Sequence, residues 1–367
     1  MVKGIYIHIP FCSLKCPYCD FTSVELNSDE IYTRYVKAVK KEIQLYASQL
    51  DFCINTIYFG GGTPSILPPQ MIDEILQFIN AHIPVERDVE ITIEVNPATY
   101  RYGEFKAIYR AGVNRVSVGA QSFIRENLSF LGRNHFPEDT VKTVMDAFDA
   151  GFRNISLDMI YGLPGQTGDS LEKDLHFFTS LPVTHISAYM LTPYENTALG
   201  QMVKSGEVKL PDDDRLYGLF SIIDDFLNDR GFYRYELSNW AKEGYRCRHN
   251  LHYWKRNEFL GVGVSAWSFY KNKRAGNTKN LFQYLKSVEE NRLPVEFVDE
   301  IDREEERKEE IMLGLRLTEG IPLQLIEEKL GFVEGLVEEG LGVIENGRFR
   351  LTRKGLMVSN SISASLI

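Results

Sequence analysis

The sequence predicts an α/β chain: an incomplete, TIM-like (β/α)6 barrel followed by a small winged-helix-like α+β domain. Six short runs rich in β-branched and aromatic residues, "GIYIHIP", "TIYFGGG", "VEITIEVNP", "NRVSVGAQS", "NISLDMIYGLP" and "HISAYMLTP", recur at intervals of a few tens of residues. Helical stretches lie between them, and alternation of this kind builds a parallel sheet. Almost every run ends in Gly, Pro or polar residues, and barrels carry their chemistry at the C-terminal ends of their strands.

Taken in order, the first run leads into a cysteine-rich loop. Helical patterns then follow over Glu30 to Tyr46, Pro69 to Ile79, Phe105 to Ala111, Glu138 to Ala150 and Ser170 to Ser180, one between each successive pair of strands. These units define a barrel over residues 1–230. Residues 231–295 are aromatic-rich and irregular, with no periodicity that fixes their fold. Residues 296–367 open on the acidic helix "VDEIDREEERKEEIMLGL" and close on the ribbon "GRFRLTRKGL". From Val295 onward 16 acidic residues face 9 basic ones. A nucleic-acid surface would be basic, so this domain reads as a packing or lid unit with no nucleic-acid partner.

At 367 residues, with 44% hydrophobic and 25% charged residues, the chain buries a sizeable core. No apolar run reaches the roughly 18 residues of a bilayer span, and no secretory layout opens the chain, so a cytoplasmic location is expected. A net charge of -10 argues against broad phosphate-backbone binding.

Three of the five cysteines fall in "IHIPFCSLKCPYCDF", residues 7 to 21. Cys12, Cys16 and Cys19 form CxxxCxxC just past the first predicted strand. Thiolates suit zinc or iron–sulfur clusters. Structural zinc takes four protein ligands, which leaves a three-cysteine zinc site completed by a distant histidine as one reading. The other is a [4Fe-4S] cluster, which usually takes four cysteines and with three keeps one iron open. Cys53 reads as a small buried hydrophobe, and His8, on an apolar strand, as a hydrogen-bonded core histidine. Glu94 and Asp158 interrupt apolar strands, and burial without a partner would be costly, so both are expected to face a ligand.

The cysteine motif, with an aromatic just before its last cysteine and on the loop after the first barrel strand, resembles the radical S-adenosylmethionine (SAM) superfamily. In order along the chain, "YIHIPFCSLKCPYCDF", "GGGTPS", "IEVNP", "RVSVGAQSF", "LGRNH" and "SLDMIYGLPGQT" resemble the oxygen-independent coproporphyrinogen III oxidase family, over essentially the whole chain. The resemblance implies a cluster on Cys12, Cys16 and Cys19 with SAM at the open iron. It implies that Tyr6, Tyr18, Gly61, Gly62, Thr63, Glu94, Gln121, Arg133 and Asp158 surround SAM.

Two departures matter. The decarboxylating members carry CxxxCxxCxC, and Phe21 stands where their further cysteine would be. They also place an extension before the first strand, which here begins at Gly4. Both features are shared with the heme chaperone branch of that family. "HNLHYW", residues 249 to 254, fits the HNxxYW pattern associated with heme binding there. The resemblance makes His249 the candidate iron ligand, with His252 or Cys247 as substitutes, and Tyr253 and Trp254 the apolar faces for a porphyrin. It implies transfer of heme to apo-hemoproteins, respiratory and in part membrane-bound, with transient contact at the membrane surface. The rival reading, an oxidative decarboxylase of coproporphyrinogen III in porphyrin metabolism, stays open, and with it the question of catalysis.

Overall fold

The computed structural model describes residues 1–367. The barrel half alternates strands β1 (Val2–Ile9), β2 (Phe52–Gly61), β3 (Val85–Val95), β4 (Arg115–Gln121), β5 (Asn154–Tyr161) and β6 (His185–Met190) with helices. These helices are α1 (Asp29–Ala47), α2 (Pro69–His82), α3 (Tyr102–Arg110), α4 (Arg125–Phe130), α5 (Pro137–Ala150) and α6 (Gly168–Ser180). Every strand and helix read from the periodicity is present, within a few residues at each end. The short α4 and, beyond β6, α7 (Ala198–Lys204) and α8 (Asp213–Asn228) were not anticipated. α4 is a six-residue helix too short to show a period.

The six strands pair in parallel in chain order, β1 to β6. The irregular segment extends both edges of this sheet. β7 (Tyr233–Arg234) and β8 (Asn239–Ala241) join antiparallel at β6. The chain then crosses the open side through a short helix, α9 (Arg248–Trp254), and re-enters as β9 (Phe259–Val262), parallel to β1. β10 (Trp267–Tyr270), β11 (Lys273–Asn277), α10 (Leu281–Glu289) and β12 (Val295–Glu300) complete that edge, giving a 12-stranded sheet.

The two faces of the barrel strands differ sharply. Ile5, Ile7, Ile9, Ile57, Phe59, Ile91, Ile93, Val116, Val118, Ile155, Leu157 and Ile186 face the helices in one 71-residue core. The alternate positions, which a strand turns to its other side, are Gly4, Tyr6, His8, Thr56, Tyr58, Gly60, Glu90, Thr92, Glu94, Arg115, Ser117, Ser156, Asp158, His185, Ser187 and Tyr189. A barrel that only needs filling uses layers of Val, Ile and Leu. On this face only Ile160, near the end of β5, is of that kind, and Tyr189 keeps 44% of its surface exposed at the end of β6.

The C-terminal unit runs α11 (Arg303–Gly314), β13 (Ile321–Pro322), a 3-10 turn, α12 (Leu330–Glu338), β14 (Gly342–Glu345) and β15 (Arg348–Leu351), then α13 (Arg353–Met357) and α14 (Ser359–Leu366). Its three strands form an antiparallel sheet in the order β13, β15, β14, the winged-helix arrangement. It packs on the barrel's N-terminal end. Arg256 donates to Glu306 and Glu309 at 2.8 and 2.7 Å, Lys255 pairs with Glu319 at 3.1 Å, and the Arg316 guanidinium lies 5.6 Å from the Trp254 ring centre.

One buried carboxylate ties α1 to the added strands. Glu42 is fully buried and accepts from Gly263 N, Asn277 Nδ2 and Tyr284 Oη at 2.9, 2.6 and 2.7 Å. Burial outweighs these donors and pushes its pKa up to about 7 from 4.5. The folded state therefore holds the proton more tightly than the unfolded one. The stability this confers is fully present below pH 4.5 and lost as pH rises to about 7, a span worth about 3 kcal/mol. The Glu42→Gln variant is expected to gain on wild type by that order between pH 4.5 and 7 in urea unfolding. Parallel curves for the two proteins would contradict this.

Candidate functional site: a cysteine loop above a polar lumen

The cysteine loop sits at the C-terminal mouth because β1 ends at Ile9 and the chain turns outward. Cys12 N donates to Val24 O at 3.0 Å and Cys19 N to Cys16 O at 3.1 Å. Beside it, the end of β2 lies unusually close. Gly62 N and Thr63 N donate to Ile9 O and Phe11 O, each at 2.8 Å. A Cβ on Gly62 would sit 2.9 Å from Phe11 O, and one on Gly61, at φ +111°, would sit 2.6 Å from the His8 ring. Only glycine permits that approach.

A chain of side-chain contacts encircles the loop. The Cys12 thiol lies 3.6 Å from Thr63 Oγ1, which accepts from Asn96 Nδ2 at 2.9 Å. Asn96 Oδ1 accepts from Arg133 Nη2 at 2.9 Å, and Arg133 Nη1 reaches Cys16 Sγ at 3.7 Å. Arg133 also donates to Gly119 O at 2.9 Å. Asn96 was missed by sequence reasoning. Its signal was there, in the polar end of "VEITIEVNP", but Asn before Pro is also an ordinary turn residue.

Cys12 is buried and Cys16 and Cys19 are half-buried. Burial pushes the Cys12 and Cys19 thiols up, and the other loop thiols add to it, while Arg133 and Lys15 act the opposite way. No three His, Cys, Asp or Glu side chains are gathered tightly enough for a single ion. Thiolates around one zinc stand only about 3.8 Å apart, given Zn–S bonds of about 2.3 Å; a four-iron cube spreads its ligands wider. Three soft thiol ligands on one loop, with the Arg133 guanidinium beside Cys16, are a donor set that fits a cluster with one open iron. Phe21, 63% exposed, offers no fourth thiolate.

Below the loop, Glu94 accepts from Tyr58 Oη at 2.8 Å and Gly61 N at 3.2 Å, and burial lifts its pKa to about 7. Asp158 accepts from Ser117 Oγ at 3.1 Å, and burial raises it as well. Gln121 ends β4 at φ +64°, a conformation rare for a residue with a Cβ and concentrated at ligand sites. Tyr6 Oη lies 3.2 Å from His8 Nδ1. Tyr18 is half-buried beside the small cluster of Leu131, Ile160, Leu163, Leu191 and Leu199. Gly61, Gly62, Thr63, Glu94, Gln121, Arg133, Asp158 and Tyr18 thus occupy one end of one lumen or the loops around it, while Tyr6 lies at mid-lumen, its ring 6.4 Å from that of His249. His8 is buried and hydrogen-bonded as expected, with Nε2 2.8 Å from Thr22 O, but it lies on the lumen face and not in the apolar core. Cys53 differs from expectation: it is half-buried, and its thiol donates to Glu86 at 3.3 Å.

The HNLHYW segment lies at the opposite end. It forms α9, and His249 points up into the lumen floor, stacked 5.1 Å from the Tyr58 ring. Its Nδ1 is 2.8 Å from Thr56 Oγ1 and its Nε2 2.8 Å from Tyr253 Oη. His249 is buried, and burial followed by its neighbours His252 and Arg115 hold it neutral, with a pKa lowered to about 3. His252 Nε2 is 2.7 Å from Asn55 Oδ1. Cys247 is buried and its thiol is pushed up to about 12, chiefly by burial. Tyr253 packs edge-on against Phe259, with ring centres 4.6 Å apart, and Trp254 lies beneath Arg316. In this conformation both ring nitrogens of His249 and of His252 are hydrogen-bonded, Trp254 Nε1 is enclosed without a partner, and Tyr253 and Trp254 are half-buried. The segment is a plug, and the strand from Gly4 to Ile9 separates it from the cysteine loop by about 17 Å at ~3.3 Å per residue.

Two family models match: the radical SAM superfamily over residues 6–178 and the HemN C-terminal domain over residues 301–358. A protein of Mycobacterium tuberculosis named Heme chaperone HemW is 33% identical, covering 99% of this chain and 94% of its own. The Bacillus subtilis protein of that name is 32% identical over 100% and 99%. The chain belongs to the HemW family. The Escherichia coli HemW is 39% identical over 72% of this chain and 69% of its own. Among solved structures, coproporphyrinogen III oxidase (HemN) of Escherichia coli, described as a radical SAM enzyme, superposes with a TM-score of 0.85 at 22% identity, over 100% of this chain and 90% of that one. At that identity the likeness establishes a shared fold. No helix is long and apolar enough to cross a membrane.

Within this HemW-family fold, Gly4 fixes the seat of the plug. A Cβ there would lie 2.9 Å from Thr56 Oγ1 and 3.3 Å from both His249 Cε1 and His252 Cδ2. The Gly4→Val variant is expected to push α9 outward at a cost of about 1–3 kcal/mol, lowering Tm by several degrees. An unchanged Tm would mean that α9 is not held against β1.

Proposed function

We propose that this protein is a heme chaperone: it holds a [4Fe-4S] cluster and SAM at the C-terminal mouth, takes up heme, and passes it to apo-hemoproteins. The observation that carries the reading is that a complete three-thiol loop with Phe21 at the position of the extra thiol belongs to a chain matched end to end by proteins named heme chaperone. Cys12, Cys16 and Cys19 would hold the cluster. Tyr6, Tyr18, Gly61, Gly62, Thr63, Glu94, Gln121, Arg133 and Asp158 would hold SAM, with Asn96 bracing Arg133 against Thr63. When bound, the cluster supplies one iron open to the amine and carboxylate of SAM.

This chain's own residues do the rest. Arg133 places positive charge beside Cys16, and Glu94 presents an acceptor beside the Gly61 turn. His249 is held neutral, the form in which imidazole ligates heme iron, but both nitrogens are engaged. Heme ligation by His249 therefore requires α9 to withdraw from the lumen floor, which opens Tyr253 and Trp254 at the same time. The contacts to be broken are hydrogen bonds and one cation–π contact more than buried aliphatic area. Cytoplasmic operation, with acceptors reached in part at the membrane surface, completes the reading.

The second reading is oxidative decarboxylation of coproporphyrinogen III, favoured by the fully assembled set around Glu94, Gln121 and Arg133. The reconstituted protein, given coproporphyrinogen III, SAM and a low-potential reductant without oxygen, is expected to form no protoporphyrinogen. Product at multiple turnovers would overturn the chaperone as sole function.

A further inference from the structure

The lumen holds one charged group whose buried donors lack hydrogen-bond acceptors, although the Glu90 carboxylate nearby favours its charge. Arg115 opens β4 and points inward, 1% exposed. Its Nε and Nη1 are enclosed without an acceptor. The groups around it are already committed. Glu90 accepts from His249 N at 3.1 Å and Arg248 N at 3.2 Å, and the Cys247 thiol points at it from 3.7 Å. Tyr58 donates to Glu94, and Tyr235 Oη accepts from Cys247 N at 3.2 Å.

Enclosing guanidinium donors without acceptors costs more than leaving a neutral group unpaired. Folded chains keep such a group where a ligand completes it. Part of the surroundings belongs to the plug contact: Cys247 precedes α9 and Glu90 of β3 accepts from the first turn of α9, while Tyr58 and Tyr235 also lie near. Withdrawing the plug frees Arg115 together with the His249 and Tyr58 rings. A planar guanidinium pairs best with a carboxylate.

We infer that Arg115 is the anchor for a ligand carboxylate in the barrel lumen, and that the carboxylate is a propionate of heme. The inference rests on the heme reading above and deepens it: iron meets the His249 end of the lumen floor, and the acid side chain of the porphyrin replaces the acceptor that Arg115 lacks. It also gives the withdrawn state a favourable contact absent from the plugged one, which is what a ligand needs in order to shift such an equilibrium.

The test compares heme with heme dimethyl ester, which keeps the iron and ring and has no free carboxylate. Both are titrated into the full-length, cluster-reconstituted protein under identical detergent and anaerobic conditions. Wild type is expected to bind heme at least about tenfold more tightly than the ester, the order of one charge-assisted pair. The Arg115→Gln variant is expected to bind both with the wild-type affinity for the ester, and Arg115→Lys to retain part of the preference. Equal affinities in wild type would overturn the inference while leaving the heme reading intact, and that arm needs no variant to fold. A preference surviving in a folded Arg115→Gln protein would also overturn it. Failure of wild type to bind heme in any form would overturn the heme reading, and this inference with it.

Discussion

The Cys16→Ala protein is expected to lose its iron and acid-labile sulfide almost completely, to below a tenth of the wild-type content after anaerobic reconstitution, while its Tm shifts by only a few degrees. Cys16 is half-buried on a loop beyond β1, and its polar contact is the Arg133 guanidinium at 3.7 Å. Removing it takes nothing from the 71-residue core, which lies between the strands and helices. A cube held by three thiolates has no spare ligand here, because Phe21 offers none and the nearest other cysteine in sequence, Cys53, is bonded to Glu86. The Cys53→Ala protein is therefore the matched control and should load iron normally. Full iron in Cys16→Ala, or its loss in Cys53→Ala, would show that the ligand set is wrong. Zinc in place of iron in the wild-type protein would remove the radical SAM chemistry altogether.

Replacing His249 separates ligation from packing. His249 bridges Thr56 and Tyr253 and stacks on Tyr58. In His249→Ala both partners lose a buried hydrogen bond and a cavity opens, at a cost of about 2–4 kcal/mol, so weaker heme binding there would be ambiguous. His249→Gln retains a donor and an acceptor near the same positions but has no imidazole. It is expected to keep most of the stability and to bind heme at least about a hundredfold more weakly, with a changed Soret band. Heme binding by His249→Gln with wild-type affinity and spectrum would make His249 a structural residue of the plug, and the iron ligand would have to be sought at His252 or Cys247.

The order of the strands was legible because each runs outward-apolar and inward-polar, and a period of two survives even when the polar side is a lumen. That same alternation was readable at Tyr6, Thr56, Glu90 and Arg115, yet a single strand does not reveal that all six polar faces converge. Convergence follows only once the six strands are paired side by side in one sheet. The cysteine loop was legible because its three thiols lie within eight residues of one another. Asn96 was not, since it acts through Arg133 and Thr63, which are distant in sequence. The HNLHYW segment shows the limit most clearly. Its composition announces imidazoles and aromatic faces, but whether they are open or buried depends on Gly4, Asn55, Thr56 and Glu90, contributed by three separate strands. The buried state of His249 is a tertiary fact.

The most direct test is an anaerobic titration of the cluster-reconstituted, full-length protein with heme, followed at the Soret band. A heme chaperone of this design should take up heme saturably at about one per chain, with the slow approach to equilibrium that withdrawal of α9 imposes. Uptake without saturation, or none, would contradict the heme reading and return the Glu94, Gln121 and Arg133 site to the coproporphyrinogen decarboxylase as its best remaining explanation.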